Sequence, residues 1–357
     1  MSKKKRNILF SILILTLILF PLFQIIFNII PSNLIELDKK IRIIPKYYNE
    51  RVTDINNQGS LIKSEDKIDP FIENLLVTEN LEESIPVIIY LNYQPGEKIA
   101  LELKYEKKIE QNDDYYNKLY ELTKEKIQES QNKIVTKILR FDGKVKHRFS
   151  IINAISIDLP LKYIKTLSQD PNITNICFDH LLEINLVNSV RSITEDSYNP
   201  NNNWNYSYNG SNVVVAVCDS GINEAHSALV GVVIDGYNTF TGGRTANDDN
   251  WHGTYVAGII ANRDPINHGV APNVSLINVK VFDNTGTGPS SNLMAGVEWA
   301  LTKAVIKPDI INFSGGTATS SHDGMSSLTI FVDAITSMYN ILWINAAGNK
   351  GGVGYPL

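Results

Sequence analysis

Cysteine is scarce in this chain of 357 residues, which contains only Cys177 and Cys218. Two cysteines cannot build a disulfide scaffold or a cysteine-ligated zinc site, so both classes are excluded. An excess of positive charge is also lacking, because 33 Lys and Arg stand against 38 Asp and Glu, a formal net charge of −5. This balance argues against a nucleic-acid-binding protein that works through a basic face. The chemistry must therefore come from hydroxyls, carboxylates, imidazoles and backbone groups.

Charged residues are absent from Ile8 to Ile30, directly after the basic cluster Lys3–Arg6. A helix of about 23 residues spans roughly 34 Å, enough to cross a bilayer core. The run is longer than the apolar region of most cleaved signals, and no small-residue cleavage site follows it. Residues 1–31 are therefore predicted to be an uncleaved signal anchor, with a cleaved signal peptide and a buried soluble helix as alternatives. The basic cluster predicts a body outside the cytoplasm, membrane-anchored through this helix or secreted if the signal is cleaved.

Residues 32–83 are polar and weakly periodic and are interpreted as a spacer with some local helix. Beyond them the pattern reads strand, helix, two strands, helix, strand, over Pro86–Leu91, Glu97–Arg140, Lys144–Phe149, Ile151–Leu159, Leu161–Leu167 and Asn172–Phe178. This order predicts a small α+β sandwich of the split βαβ, ferredoxin-like kind over residues 84–187. The charged stretch from about Glu97 to Asn132 has no role that the sequence suggests.

Residues 188–357 follow a different pattern, in which strands alternate with helices. The apolar, mostly β-branched run Val213–Val217 is typical of a strand covered on both faces. Further strands are predicted at Val232–Ile234, Ser275–Phe282, Asp309–Phe313 and Ile341–Ala346, and helices at Ser291–Val305 and Met325–Tyr339. Such alternation predicts an α/β fold with a doubly wound, mostly parallel sheet.

Three polar side chains stand at strand ends or at a helix start, where sites form in open α/β sheets. They are Asp219 in Cys-Asp-Ser-Gly, His252 in Trp-His-Gly-Thr, and Asn349 in Asn-Ala-Ala-Gly-Asn. Each has a structural interpretation when taken alone: a turn carboxylate, a buried histidine and a turn signal. A histidine at a helix N-terminus suits a base near neutral pH, provided that a carboxylate holds the ring. An asparagine amide can donate to a developing oxyanion.

Taken together, the three segments resemble the subtilisin-like serine peptidase family. The blocks VVVAVCDSGINEAH at 213–226, WHGTYVAGIIAN at 251–262, APNVSLINVKVFD at 271–283 and INFSGG at 311–316 carry the resemblance. It implies that Asp219 orients and stabilises the imidazole, that His252 is the general base, and that Asn349 is an oxyanion donor.

The resemblance also implies a cleft in which a protein or peptide substrate adds as a strand. One edge would be Gly286, Thr287 and Gly288, the other Ser314, Gly315 and Gly316, with Ala346, Ala347 and Gly348 as a further wall of the S1 pocket. The block GKVKHRFSIINAISIDLP at 143–160 resembles the family's inhibitory prodomain. The α+β region would then be an intramolecular inhibitor with its tail, near Leu182–Val187, in the cleft. No cofactor is required, and calcium is allowed as a structural ion at an unassigned site. Asp248 and Asp249 are interpreted as a solvated loop or part of a calcium site.

The nucleophile of the family is missing from the sequence. No Gly-Thr-Ser-Met-Ala block follows Asn349, and no Gly-x-Ser-x-Gly elbow occurs. We therefore expect the zymogen of a serine endopeptidase whose serine lies beyond Leu357, so that the chain as given is inactive. The alternative is a non-catalytic protein that binds peptides or proteases, if the chain ends at Leu357. Cys218 is expected to be a buried free thiol, with a bond to Cys177 as the alternative.

Overall fold

A computed structural model describes residues 67–107, 111–184, 209–264, 268–317 and 326–348. The predicted signal anchor at 1–31, most of the predicted spacer and Asn349 lie outside these ranges. Within these ranges, no helix combines the length and the apolar character that crossing a bilayer requires.

Residues 67–184, here called the α+β subdomain, form a four-stranded antiparallel sheet with helices packed on it. Its strands are β1 (Ser84–Leu91), β2 (Lys144–Arg148), β3 (Ala154–Pro160) and β4 (Ile173–Phe178). Its helices are α1 (Pro70–Thr78), α2 (Gly96–Leu101), α3 (Asp113–Arg140) and α4 (Ile164–Ser168), with a π-helical turn at Glu102–Glu106 and a 3₁₀ turn at Leu161–Tyr163. The sheet order is β2-β3-β1-β4, and each neighbouring pair is antiparallel. Because β3 lies between β1 and β2, this is the split βαβ arrangement that the sequence pattern predicts.

Helix α3 shows why this charged segment is helical. The side chain of Asn112 caps its first turn by accepting from the backbone N of Tyr115. Acidic residues occupy the first turn and basic residues the last, which complements the helix dipole. The buried face repeats at helical spacing through Leu119, Ile127, Ile134 and Ile138.

The predicted spacer extends too far towards the C-terminus. Helix α1 lies inside the predicted spacer, begins at Pro70 and is capped by the side chain of Asp69. Ile72 is fully buried and packs in one core with residues of β1 and β3. Residues 67–83 therefore belong to the α+β subdomain. The segment shows little periodicity because Ile72 is the one buried residue of this nine-residue helix.

Residues 209–348, here called the α/β subdomain, contain a five-stranded parallel sheet. Its strands are β6 (Val214–Asp219), β7 (Val233–Asn238), β8 (Ser275–Lys280), β10 (Ile310–Phe313) and β12 (Leu342–Asn345). Its helices are α5 (His252–Ala261), α6 (Ser290–Thr302) and α7 (Ser327–Tyr339). The order is β12-β10-β6-β8-β7 with every pair parallel, which confirms the predicted parallel sheet. All six residues of the central strand β6 are buried, as expected for a strand covered on both faces.

A small third sheet connects the two subdomains. It consists of β5 (Leu181–Ile184), β9 (Thr287–Pro289) and β11 (Gly315–Gly316), in the order β11-β5-β9. One hydrophobic core also contains residues of both subdomains, and residues 64–357 form a single compact unit. The two subdomains therefore pack against each other, and the domain border predicted at 187 and 188 lies outside the described residues.

Candidate active site

Asp219 and His252 meet at the carboxyl end of the parallel sheet. Asp219 is the last residue of β6, and His252 is the first residue of α5. Nδ1 of His252 lies 2.7 Å from Oδ1 of Asp219. Both side chains are fully buried. An Nδ1–H donor to a carboxylate fixes the imidazole orientation and leaves Nε2 as the basic nitrogen.

Glycine allows the two elements to approach this closely. Gly221 follows β6 with a φ of +110°, a conformation that L side chains rarely adopt. A Cβ on Gly253 would collide with the carbonyl oxygen of Gly221 and would crowd Asp219. The first turn of α5 therefore depends on a residue without a side chain beside His252.

Burial shapes the electrostatics of the pair. Burial raises the pKa of Asp219, while hydrogen bonds from His252 and from the backbone N of Ser220 oppose the rise. The Ser220 N lies 2.7 Å from Oδ1 of Asp219. Among the described residues, neither Oδ2 of Asp219 nor Nε2 of His252 has a hydrogen-bond partner. A buried imidazole with an unpartnered Nε2 can accept a proton from a group brought next to it.

The turn before His252 is held by Asp248. Its Oδ1 accepts from Ser220 Oγ at 2.9 Å and from the backbone N of Asn250 and Trp251 at 3.0 and 2.9 Å. Its Oδ2 accepts from the N and Oγ1 of Thr254 at 2.9 and 2.5 Å. These bonds support Trp251 in the left-handed conformation, with a φ of +80°.

These contacts give Asp248 a structural role that its interpretation as part of a solvated loop did not include, and the calcium alternative stays a prediction. Burial alone would raise the pKa of Asp248, but the bonds from Thr254, Asn250 and Ser220 lower it. Five donors from the protein engage its two oxygens. Within the described part of the chain, no group of three or more His, Cys, Asp or Glu side chains could hold a metal ion. Asp248 is a structural carboxylate that the sequence pattern did not identify.

Lys280 is a second residue that sequence reasoning missed. It ends β8, pairs with Asp219 across the sheet, and is almost fully buried. Its Nζ donates to the carbonyl of Ser220 at 2.5 Å and to Asp249 Oδ1 at 2.6 Å. A lysine inside the mostly apolar run SLINVKVF was the available signal. Lys280 thus ties the loop that carries Asp248 and Asp249 to the end of β6.

The two predicted edges of the cleft lie on either side of β5. Gly286, with a φ of +80°, leads into β9, in which Thr287 pairs with Glu183 and Gly288 with Leu182. On the other side, Gly315 pairs with Ile184 and Gly316 with Glu183. Both pairings are antiparallel. The structure therefore places a strand of the α+β subdomain where the sequence predicted an extended peptide.

Within β5 the burial alternates between neighbouring leucines. Leu182 is 1% exposed, whereas Leu181 is 55% exposed. Alternation of this kind is the ordinary geometry of a strand, with one face turned into the protein. Leu182 belongs to the core that also contains Phe282 and Leu293 of the α/β subdomain.

The remaining predicted site residues follow β10 and β12. Ser314 joins β10 to β11, and its Oγ accepts from the Asn312 side chain at 3.1 Å. Ala346 donates its backbone N to the carbonyl of Phe313 at 3.1 Å, and Ala347 and Gly348 continue the chain. Asn349 lies outside the described residues, so its oxyanion role stays a prediction.

Cys177 and Cys218 are both buried and are not joined by a disulfide, and Cys218 is a buried thiol as the sequence predicted. Burial raises the pKa of the Cys218 thiol, and the nearby Asp219 charge adds to the rise. Burial of this kind makes a thiol a poor nucleophile.

Comparison with known proteins finds a similarity in the C-terminal part of the chain. Residues 210–356 match the Subtilase family. The resemblance predicted from the Asp219, His252 and Asn349 blocks is thereby confirmed at the level of the family.

Several bacterial subtilases are similar to this chain. Subtilisin E of Bacillus subtilis (strain 168) is 36% identical over 224 residues, covering 60% of this chain and 55% of that protein. The extracellular serine proteinase of Thermus sp. (strain Rt41A) is 31% identical over 204 residues, covering 56% of this chain and 47% of that protein. The minor extracellular protease Epr of Bacillus subtilis (strain 168) is 31% identical over 240 residues, covering 61% of this chain and 35% of that protein.

Two features of these subtilase matches bear on the organisation of the chain. The chain spans about half the length of the curated relatives it matches. The match to subtilisin E covers 60% of this chain, more residues than the segment 210–356 contains. The similarity therefore extends to residues before 210.

Proposed function

We propose that the α/β subdomain is part of a subtilisin-like serine endopeptidase in which His252 is the general base. The observation that carries the proposal is the buried 2.7 Å contact between Nδ1 of His252 and Asp219, with Nε2 unpartnered among the described residues. A serine hydroxyl would transfer its proton to Nε2 as its oxygen attacks the peptide carbonyl. The imidazolium would then return that proton to the leaving amine, while Asp219 stays a carboxylate and stabilises the charged ring.

The proposal places the nucleophilic serine outside residues 1–357. Within them, no Gly-Thr-Ser-Met-Ala block occurs. Asn349 would donate its side-chain amide to the oxyanion of the tetrahedral intermediate. The chemistry needs no redox or organic cofactor. Calcium stays proposed as a structural ion without an assigned ligand set.

The substrate of the proposed enzyme is a peptide in extended conformation. It would add as a strand between β9 and β11, through the backbone of Gly288 and Gly315. The position of β5 supports this, because β5 pairs with both edges in the same way. We propose that β5 blocks the cleft in the zymogen and that the α+β subdomain is an inhibitory prodomain. The similarity to subtilisin E before residue 210 supports that role.

The protein is proposed to act outside the cytoplasm. Two of the compared relatives are named as extracellular enzymes. The uncharged run from Ile8 to Ile30 would direct export, either as a retained membrane anchor or as a cleaved signal.

A non-catalytic peptide-binding or protease-binding protein is the second candidate. The cleft holds a strand through main-chain pairing, and this binding needs no nucleophile. The two candidates make opposite predictions for hydrolysis and the same prediction for peptide binding.

Peptide hydrolysis distinguishes them. The product of the complete reading frame that contains residues 1–357 is assayed on a quenched-fluorescence peptide library after activation. We expect turnover that falls at least about 1,000-fold in His252→Ala and Asp219→Ala. The matched control is His226→Ala, because His226 is an exposed histidine outside the pair. No turnover by the wild type, with retained binding of an extended peptide, would favour the second candidate.

A further inference from the structure

The charged segment without a suggested role contacts helices of the α/β subdomain. The contacting region comprises residues 96–107 and 111–123 and is here called the bridging segment. It includes α2, the π-helical turn and the first turns of α3. Its close contacts lie on α6 and α7, whereas β5 contacts the cleft edges β9 and β11. The two sets of contacts use different surfaces.

Aromatic rings form the centre of this contact. Tyr116 of α3 stacks on Tyr339 of α7, with ring centroids 5.7 Å apart and an interplanar angle of 16°. The Nζ of Lys303, directly after α6, lies 4.7 Å from the ring centroid of Tyr120. Lys307 Nζ donates to Asn117 Oδ1 at 3.2 Å at the edge of the contact. Stacked rings and a cation over a ring add directional attraction to the burial of apolar surface.

The bridging segment is also part of the core that joins the two subdomains. Its buried side chains share one core with α6 and α7; from the segment these are Ile99, Leu103, Tyr115, Leu119 and Tyr120, and from the helices Leu301, Phe331, Ile335, Met338 and Tyr339. At Gly96, a Cβ would collide with Sδ of Met338, so α2 lies directly against α7. The bridging segment therefore contributes several buried apolar side chains to the core that it shares with α6 and α7.

We propose that the bridging segment is an anchor that holds the α+β subdomain on α6 and α7 independently of β5. The strand in the cleft can then leave while the subdomain stays attached. The interpretation of β5 as an inhibitory strand rests on the proposed function, but the anchor does not. Opening of the cleft would be governed by the withdrawal of β5 rather than by dissociation of the whole subdomain.

Cutting the chain between the subdomains tests the anchor without any catalytic step. A recognition site for a sequence-specific protease is inserted between Asn199 and Pro200 of the full chain. Cleavage is verified by denaturing electrophoresis, and association of the two pieces is measured by size-exclusion chromatography during serial dilution. We expect the cut wild type and cut Leu182→Glu to remain single species at micromolar concentration.

Variants of the rings give the decisive comparison. We expect the double variant Tyr116→Ala and Tyr120→Ala to weaken association at least about 100-fold. Tyr105→Ala is the matched control, because it removes an exposed tyrosine from the same segment. Lys303→Ala removes the cation above Tyr120 from the opposite side, and should weaken association about threefold even if the double variant fails to fold.

Two outcomes would overturn the anchor. One is release of the pieces by Leu182→Glu alone, since β5 would then be the main attachment. The other is association of the two pieces that is as tight in Lys303→Ala, or in the Tyr116→Ala and Tyr120→Ala double variant, as it is in Tyr105→Ala. Neither outcome would affect the peptidase proposal, which is tested by hydrolysis, and a failed hydrolysis assay would leave the anchor standing.

Discussion

The Asp219 carboxylate is fully buried and accepts from His252 Nδ1 at 2.7 Å and from the backbone N of Ser220 at 2.7 Å. Burial of a carboxylate is costly unless donors of this kind compensate for lost water. The bond to Asp219 also sets the orientation of the imidazole, because it occupies Nδ1 and leaves Nε2 without a partner among the described residues. Orientation and charge compensation thus come from one set of contacts.

Asp248 is expected to stabilise the fold more than its place in a loop suggests. Asp248→Ala removes the acceptor of five hydrogen bonds and leaves Ser220, Thr254 and three backbone groups without it. We expect the free energy of unfolding to fall by about 2–4 kcal/mol, measured by urea denaturation. Asp114→Ala, which removes an exposed carboxylate paired with Lys118, should cost under about 1 kcal/mol. Equal losses in the two variants would contradict this role.

Glu298 gives the contact between the subdomains a dependence on pH. Both of its carboxylate oxygens accept from the backbone N of Ser150, at 3.1 and 3.0 Å. Burial raises its pKa from 4.5 to about 7, against the opposing effect of those bonds and of Lys303. The folded state therefore binds the proton more tightly than the unfolded state, and stability falls as pH rises from about 4.5 to about 7.

The pH profile of Glu298→Gln tests this assignment. The other titratable groups facing Glu298 are His147, with Nε2 4.0 Å away, Lys303 and Tyr339. Burial lowers the pKa of His147, which has the opposite effect on stability, so the comparison is made in a His147→Gln background. We expect the difference in unfolding free energy between the Glu298→Gln variant and its parent to change by up to about 3 kcal/mol across this range. A flat difference would contradict the assignment.

At the residue scale, the ends of recognisable elements made Asp219 and His252 candidates, and the family resemblance suggested their roles. It did not predict Asp248 or Lys280. A carboxylate in a polar loop has the same local sequence whether water or a helix terminus binds it. A lysine at a strand end likewise gives no sign of the carbonyl and carboxylate that it meets in the fold.

At the scale of elements, the approach of α5 to the end of β6 determines the geometry of the pair. Helix α5 begins at His252. The carbonyl oxygen of Gly221, in the turn after β6, lies directly against Gly253 in the first turn of α5. Two glycines of the same helix have opposite surroundings. A Cβ on Gly253 would collide with Gly221, whereas a Cβ on Gly258 would meet nothing within 4 Å among the described residues.

Alanine at these two glycines is expected to have opposite effects. Gly258→Ala should stabilise the protein by up to about 1 kcal/mol, because alanine is the better helix former. Gly253→Ala gains the same propensity but forces α5 away from Gly221, and should cost about 1–3 kcal/mol. The midpoints of urea denaturation measure both. A stabilising Gly253→Ala would show that the close approach is not required.

The elements themselves were largely predictable from periodicity. The split βαβ order and the parallel sheet both follow from alternation of apolar runs and turn residues. Helix α1 was missed because it buries one residue fully, too few to produce a helical period. The predicted strand Val213–Val217 is β6, Val214–Asp219, because its pairing with β8 continues as far as Asp219.

At the scale of the whole molecule, the packing of the two subdomains was not predictable. Tyr115, Tyr116 and Tyr120 stand among charged residues in DDYYNKLYELTK, a pattern typical of a solvated helix. Tyr339, the partner of Tyr116, and Lys303, the partner of Tyr120, lie far along the chain. Complementarity of this kind depends on tertiary structure, which a local pattern does not contain. The pairing of β5 with β9 and β11 was suggested only by the family resemblance.

The central claim is that His252, held by Asp219, activates a serine for attack on a carbonyl. The most direct measurement is labelling of the product of the complete reading frame with a fluorophosphonate probe, followed by mass spectrometry of the labelled peptide. We expect one labelled serine outside residues 1–357, with labelling lost in His252→Ala and kept in His226→Ala. Absence of labelling in the activated wild type, or a label on a serine within residues 1–357, would contradict it.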